Sequence, residues 1–211
     1  MKALKNMRIW LDILMFAAFV AALGMRITDV FLHEILGTAA LILFAVHNIL
    51  NWRWYKNSFK GKYFAMRILG TATNIGLLIL CVIVFAAAAI ISQYIFGFEV
   101  SDMHARQWHS VAAYYLMLFL GIHIGMHFNF IFGKAGAFAK CAMAAFAAFG
   151  VYAVFDRAFL QKLFCGYSFD YWSGELPAAL FFAENAAIVF LTAAITRGLI
   201  FIFNSKTKGL K

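Results

Sequence analysis

The fold class is decided by the stretch Ile68–Phe96, whose sequence is ILGTATNIGLLILCVIVFAAAAIISQYIF. This stretch carries no charged side chain and exceeds the roughly 20 apolar residues with which a helix crosses the core of a bilayer. The rest of the chain is similarly apolar, because 65% of its 211 residues are hydrophobic and only 13% are charged. Soluble domains are roughly 45–50% apolar. We therefore expect a polytopic membrane protein, and the composition excludes an ordinary soluble enzyme, a disordered chain and a disulfide scaffold.

Six runs are long and apolar enough to be predicted as membrane helices. They are Ile9–Met25, Ile35–Tyr55, Ile68–Phe96, His109–Phe132, Ala135–Phe155 and Leu176–Phe203. The first run is interpreted as a membrane helix and not as a signal peptide, because it is long for an apolar signal region and no small-x-small cleavage site follows it. No linker or repeat divides the chain, so residues 1–211 are expected to form one all-α domain, a bundle of six transmembrane helices.

The charged residues between the runs predict the orientation of the bundle. With the N-terminus inside, 14 of the 18 basic residues fall on the inner side, and the outer side keeps Arg26, Arg106, Arg157 and Lys162. The acids on the outer side are Asp29, Glu34, Glu99, Asp102, Asp156, Asp170 and Glu175. This asymmetry is typical of the positive-inside rule. It predicts a multi-pass membrane protein with both termini in the cytoplasm, and it accounts for the net charge of +9 without nucleic acid.

Four of the six histidines are predicted to form two pairs between two helices. His33 and His47 bracket the second run, His109 and His123 lie on the fourth, and the spacing is 14 residues in both cases. Fourteen residues make four turns at 3.5 residues per turn, so each helix presents both of its histidines on one face, roughly 21 Å apart along the axis. Because the second and fourth runs cross in the same direction, His33 should lie level with His109, and His47 with His123.

Two level imidazole pairs predict two haem b groups held by four histidine ligands in a four-helix core. Neutral imidazole is a good iron ligand, and haem iron offers two axial positions. The haem groups are expected to be held without covalent bonds, because the chain has no CxxCH motif. The two groups would form a path for electrons across the membrane.

Three alternatives to this ligand set stay open. His127 lies one turn beyond His123 and is an alternative inner ligand, and His104 is an additional outer histidine. A zinc or copper site requires converging ligands, and its candidates are Asp102, His104, His109 and His33. The alternative function is that of a transporter or a metal- or proton-conducting membrane protein without haem.

Other residues are candidates for contact with the cofactor or for proton transfer. Gly37 follows His33 by one turn and leaves a gap for a flat ligand, and Arg106 is an outer candidate for contact with a haem propionate. Glu184 lies inside the sixth run, where an ionisable group is costly and is functional by default. It is predicted to exchange the proton of a quinone at the outer end, and a carboxylate paired between helices is the alternative.

Two further pairs of residues are interpreted as structural. Gly121 and Gly125 are four residues apart on a face that points away from His123, so we expect them to be helix-packing contacts. Asp12 follows Arg8 by four residues, and we expect these two side chains to form an ion pair on one helix.

Several stretches carry a resemblance to a known family. They are HEILGTAALILFAVHNILNW at His33–Trp52, WHSVAAYY at Trp108–Tyr115, GIHIGMH at Gly121–His127 and, more weakly, FDYW at Phe169–Trp172. They resemble a bacterial membrane family of uncharacterised function that is grouped with the di-haem cytochrome b subunits of formate dehydrogenases and hydrogenases. The resemblance implies haem b, quinone-linked electron transfer and a redox partner protein, with this chain as the membrane subunit of an oxidoreductase. The chain itself has no flavin or nicotinamide motif.

Overall fold

A computed structural model describes residues 2–97, 102–133, 135–164 and 177–209 of the chain. The stretch Phe169–Trp172 and the acids Glu99, Asp170 and Glu175 lie outside these residues. Helix accounts for 88% of the structure, and the described part contains no strand, so the all-α prediction is confirmed there. The helices are α1 (Lys2–Ala22), α2 (Met25–Leu50), α3 (Trp52–Ser58), α4 (Ala65–Ile91), α5 (Met103–Phe132), α6 (Ala137–Asp156), α7 (Phe159–Phe164) and α8 (Ala178–Gly209).

Five helices of the described part are long and apolar enough to cross a membrane, namely α2, α4, α5, α6 and α8. The chain is therefore consistent with a multi-pass membrane protein whose helices contact lipid. The first predicted span corresponds to α1, which is not among the five. This helix carries the charged residues Lys2, Lys5, Arg8 and Asp12 within its 21 residues.

The second helix differs from its predicted limits at both ends. Its regular part begins after Asp29, a residue with positive φ (φ 67°, ψ 171°) whose carboxylate accepts the Leu32 backbone N–H at 2.9 Å and caps the helix. It ends at Leu50, because Asn51 leaves the helix and its side chain donates to the His47 carbonyl. The helix therefore starts and stops earlier than the predicted span Ile35–Tyr55: residues 30–34 precede that span within α2, and its last residues belong to α3.

The connection between α4 and α5 lies earlier in the sequence than predicted. The third predicted run ended at Phe96, but the corresponding helix α4 ends at Ile91. The fourth predicted run began at His109, whereas α5 begins at Met103. Asp102 stands just before this start, and its carboxylate accepts the backbone N–H of His104 at 2.8 Å, which caps the first turn.

The core of the bundle is formed by α5, α6 and α8 with the short α7. The helix α5 packs against α4 on one side and α8 on the other, and α6 packs against α8. Backbones approach closely at glycines: a Cβ on Gly121 would lie 2.5 Å from the Thr192 Cβ, and one on Gly125 would lie 2.6 Å from the Ala193 carbonyl oxygen. The prediction that Gly121 and Gly125 are helix-packing contacts is confirmed.

The opposite side of the bundle is a hairpin of α1 and α2, joined by the turn at Leu23 and Gly24. These two helices pack against each other, but in the described part α2 makes no extensive contact with α4 or α5. None of the α2 residues is buried. We call the space between α2 and α5 the hairpin gap, the end of the bundle with His33 and His109 the His33 end, and the other end the His47 end.

Candidate functional site

The hairpin gap is flanked at the His33 end by two histidines from different helices. The rings of His33 (α2) and His109 (α5) have centroids 5.8 Å apart and planes at 78° to each other. Both side chains are half-buried. The structure thus brings together residues that are 76 positions apart in the sequence, at the level that their spacing predicted.

Both of these rings are held by main-chain carbonyl groups. Nδ1 of His33 donates to the carbonyl oxygen of Ala22, the last residue of α1, at 2.7 Å. Nδ1 of His109 donates to the carbonyl oxygen of Val84 in α4 at 2.9 Å. A carbonyl oxygen only accepts hydrogen bonds, so Nδ1 carries the hydrogen in each ring and Nε2 keeps its lone pair. Each ring therefore has one fixed nitrogen and one nitrogen free to bind a ligand.

The same arrangement recurs at the His47 end with side-chain acceptors. Nδ1 of His47 donates to Oδ1 of Asp12 in α1 at 2.7 Å, and Nδ1 of His123 bonds to Oδ1 of Asn74 in α4 at 2.8 Å. Nε2 is again the nitrogen left for a ligand.

His127 differs from the other four residues in its surroundings. Its ring lies against that of His123, with centroids 4.8 Å apart, but its side chain is exposed and has no hydrogen-bond partner among the described residues. His123 is half-buried and fixed through Nδ1. This contrast favours His123 over His127 as the ligand at the His47 end.

Each of the four fixed rings has the hydrogen-bonding state of a metal-ligating histidine. A metal-ligating histidine normally donates its second ring N–H to a carbonyl or carboxylate oxygen, which sets the tautomer and the ring orientation. The ring centroids of His33 and His109 are 5.8 Å apart, a little less than the roughly 6 Å that two opposed metal–imidazole bonds of about 2.0 Å and the two ring radii require, so the rings would have to separate slightly to hold one metal ion between them. A Cβ on Gly37, one turn after His33, would meet nothing within 4 Å, so α2 leaves open space beside this pair.

The other metal hypothesis finds no matching geometry. Among the described residues, no group of three or more His, Cys, Asp or Glu side chains is arranged to hold a metal ion. Asp102 caps α5, and His104 is an exposed residue of its first turn. The proposed zinc or copper set of Asp102, His104, His109 and His33 is therefore not assembled in the structure.

Two other candidates lie on separate parts of the bundle. Arg106 is a half-buried residue in the first turn of α5, one turn before His109. Glu184 of α8 is 0% exposed and is paired with the guanidinium of Arg157, which follows α6 and is 6% exposed. The pair joins two helices that supply no histidine. This is the arrangement of a carboxylate paired between helices, and the role of Glu184 in proton exchange stays a prediction.

Sequence reasoning missed the residues that hold the histidines. Asp12 was expected to pair with Arg8, and this prediction is wrong: Asp12 pairs with His47, and Arg8 donates to the carbonyl oxygen of Leu50. Asn74 lies inside a long apolar run, and its polarity at that position is the sequence signal for its role. The carbonyl partners of the other two rings have no sequence signal, because every residue carries a carbonyl group.

Sequence reasoning also missed the role of Glu34, which follows His33. Its carboxylate accepts hydrogen bonds from the backbone N–H groups of Gln93, Tyr94 and Ile95 and from the Ser92 hydroxyl, at 2.7–3.1 Å. These four donors form the turn that follows α4. We call this set the Glu34 clamp, and it fastens α2 to the helix whose carbonyl group holds His109.

Comparison of the chain with protein-family models, with curated proteins and with solved structures gave no match. A functional assignment therefore depends on the residues of the site and on their geometry. The strongest geometric feature is the set of four histidines, two on each side of the hairpin gap, with Nδ1 bonded to an oxygen acceptor in every case.

Proposed function

We propose that this protein is a b-type di-haem membrane cytochrome that carries electrons across the membrane between a quinone pool and a redox partner protein. The observation that carries the proposal is the common state of His33, His47, His109 and His123. All four rings have Nδ1 engaged by an oxygen acceptor, so all four keep Nε2 free. A single intramembrane histidine often serves as a helix–helix hydrogen bond, but four rings fixed alike across one gap favour ligation.

In this proposal His33 and His109 hold one haem, and His47 and His123 hold the other. When bound, haem b supplies iron that alternates between its ferric and ferrous states. The residues fix the ring orientation, and Ala22, Asp12, Val84 and Asn74 supply the acceptors that keep each imidazole in its ligating tautomer. The carboxylate of Asp12 makes its histidine a stronger electron donor than a carbonyl group does, so the two ends differ electronically.

The proposed topology has six membrane helices with both termini in the cytoplasm. The helix α1 runs antiparallel to α2 along its length: Arg8 donates to the carbonyl oxygen of Leu50 at one end, at 3.0 Å, and Ala22 accepts from His33 at the other. This supports α1 as a sixth span. The excess of basic residues on the segments of the His47 end supports a cytoplasmic location for that end in a bacterial inner membrane.

The proposed partners are a quinone and a protein that donates or accepts electrons, which makes the chain the membrane subunit of an oxidoreductase. The absence of flavin and nicotinamide motifs from the sequence supports a separate redox protein. The resemblance to the di-haem cytochrome b subunits of formate dehydrogenases and hydrogenases supports both partners.

The optical spectrum of the purified protein tests the class. We expect a reduced α band of low-spin haem b after dithionite treatment, and about two haems per chain in a pyridine haemochrome assay. One haem or fewer in a fully loaded chain contradicts the two-site proposal. No porphyrin absorption contradicts the cytochrome proposal and favours a transporter whose histidines relay protons or bind metal.

Histidine variants test the pairing. His33→Ala or His109→Ala should remove the haem of the His33 end and spare the other, and His47→Ala or His123→Ala should do the reverse. His104→Ala is the matched control, because this histidine lies on α5 near the same end and is exposed. If His127→Ala loses the haem of the His47 end while His123→Ala retains it, the choice of His123 over His127 as its ligand is wrong.

A further inference from the structure

A cavity of about 540 Å³ opens at the His47 end, between α3, α4 and α5. Its polar lining comes from each of these three elements: Arg53 and Asn57, Arg67 and Thr71 with Asn74, and His127. Neither α1 nor α2 contributes a lining residue, so the cavity is separate from the hairpin gap. None of its polar lining residues is an acid.

The positive charge of the cavity is not neutralised within the described part of the chain. The ion pairs found there join His47 with Asp12 and Arg157 with Asp156 and Glu184, and none reaches the cavity. Arg53 and Arg67 therefore bring two guanidinium charges to one concave space. Two arginines that share a concave space with no neighbouring carboxylate are suited to bind an anion from outside the chain.

One of the two guanidinium groups is held rigidly in place. Arg67 donates to the backbone carbonyl oxygens of Asn57, Ser58, Lys60 and Lys62, which closes the loop between α3 and α4. It also lies 4.9 Å from the ring centroid of Tyr63. Carbonyl groups orient a guanidinium without cancelling its charge, so the positive side of the cavity is formed before any ligand arrives.

The surroundings of the cavity indicate where such an anion would come from. Tyr63, in the loop closed by Arg67, is 46% exposed, and Trp52 at the start of α3 is 57% exposed. Trp and Tyr side chains of membrane proteins concentrate at headgroup depth, and basic pockets between helices at the cytoplasmic surface bind lipid headgroups. Nearby exposed rings thus place the cavity where phosphate groups of lipids are abundant.

We propose that this cavity is a binding site for a phosphate-type oxyanion, supplied by the headgroup of an anionic phospholipid. Arg53 and Arg67 provide the charge, and the Thr71 hydroxyl, the Asn57 amide and a ring N–H of His127 provide further donors. Binding of an oxyanion in this cavity does not require haem. Asn74 belongs both to this cavity and to the hydrogen bond of His123, so the site adjoins the inner histidine pair.

The test measures lipid binding by the full-length protein after delipidation in detergent. Native mass spectrometry and thermal unfolding are recorded with phosphatidylglycerol, with phosphatidylcholine and with inorganic phosphate alone. We expect one phosphatidylglycerol retained per chain and a higher unfolding temperature with this lipid than with phosphatidylcholine. Arg53→Gln should weaken binding by about tenfold, the effect of losing one charge-assisted hydrogen bond, and Thr71→Val should weaken it less.

Lys56→Gln is the matched control, because Lys56 lies on the same short helix and is exposed but does not line the cavity. Equal losses in Arg53→Gln and Lys56→Gln would overturn the proposal in favour of general surface charge. No preference for phosphatidylglycerol together with no effect of phosphate would also overturn it. Binding of phosphate without the lipid would confirm the oxyanion site and assign it to a soluble ligand.

Haem content is measured on the same samples by optical absorption. Lipid binding that occurs only in haem-free protein would overturn the proposal, because the cavity would then belong to a haem propionate. A protein that binds phosphatidylglycerol and no haem would contradict the cytochrome proposal and leave the oxyanion site confirmed, so the two failures are distinguishable.

Discussion

The two sides of the bundle are built by different means. On the side of α5, α6 and α8, backbones touch: a Cβ on Gly150 would lie 2.4 Å from the Ala187 carbonyl oxygen, and Ala153 and Val189 are fully buried. On the side of α2, no residue is buried, and the helix is held by α1 and by the polar contacts of His33, Glu34 and His47. Tight packing fixes the α5 histidines, and open packing leaves space opposite them. The proposed ligand site therefore lies on the side of α2, where the helices are not closely packed.

The largest effect is expected from the buried ion pair of the packed side. Glu184→Gln leaves the buried guanidinium of Arg157 without its carboxylate, and we expect a loss of about 3–5 kcal/mol in the free energy of unfolding. Thermal unfolding in detergent, followed by circular dichroism, measures it. Asp156→Asn is the control, because this carboxylate lies 3.6 Å from the same guanidinium and is partly exposed.

The outcome also decides between the two interpretations of Glu184. Unchanged stability together with an altered pH dependence of quinone reduction would support the role in proton exchange and contradict the purely structural one. Reduced stability with a normal pH dependence in the folded fraction would support the paired carboxylate.

A glycine-to-leucine substitution on each side of the bundle tests directly whether the two sides differ in packing. Gly125→Leu inserts a side chain where the Ala193 carbonyl oxygen is in the way, and overpacking of this kind costs about 1–3 kcal/mol. Gly37→Leu enters open space, so the haem-free protein should keep its stability while haem content falls. Similar unfolding temperatures for the two variants would show that the hairpin gap is no more open than the core.

Removal of the Glu34 clamp should have an intermediate effect. Glu34→Gln keeps the size of the side chain but loses the charge that attracts four donors, and we expect about 1.5 kcal/mol less stability. Hydrogen exchange should increase at the backbone N–H groups of residues 93–95, because these groups donate hydrogen bonds to the Glu34 carboxylate. Asp102→Asn is the control, because its bonds stay within the first turn of α5. Faster exchange in both variants alike would contradict a specific link between α2 and α4.

The smallest effect on stability is expected at the His47 end. Asp12 is 53% exposed, so Asp12→Asn should change the free energy of unfolding by less than about 1 kcal/mol. Redox titration should nevertheless show a higher midpoint potential for the inner haem, because a neutral amide stabilises the ferric state less than a carboxylate does. Arg8→Gln is the control, and an equal shift in both variants would indicate a general electrostatic effect.

Much of the fold follows from the sequence, because hydrophobic length alone determines where membrane helices lie. Five of the six predicted apolar runs correspond to helices that are long and apolar enough to cross a membrane, and the 14-residue spacing placed His33 level with His109. The limits of the helices were less accessible. Asp29 and Asp102 cap helices that begin several residues before the predicted apolar runs, and a hydropathy pattern does not detect such caps.

The partners of the histidines could not be predicted, for a different physical reason. Asp12 has two hydrogen-bond donors within reach, Arg8 on its own helix and His47 on the next, and sequence spacing favours the local pair. The hairpin of α1 and α2 brings His47 to Asp12 and directs Arg8 to a main-chain carbonyl at the end of α2. The outcome depends on the rotation of α1 against α2, which is set by packing along the whole hairpin.

The separation of 76 residues within each histidine pair has a consequence for biogenesis. The hairpin of α1 and α2 leaves the ribosome first, and its histidines stay without counterparts until α5 has been made. Translation proceeds at about 5–20 residues per second, so several seconds pass in which the hairpin is present in the membrane alone. Neither pair is completed before its α5 histidine has been translated, which makes assembly of the site a late event in the life of the nascent chain.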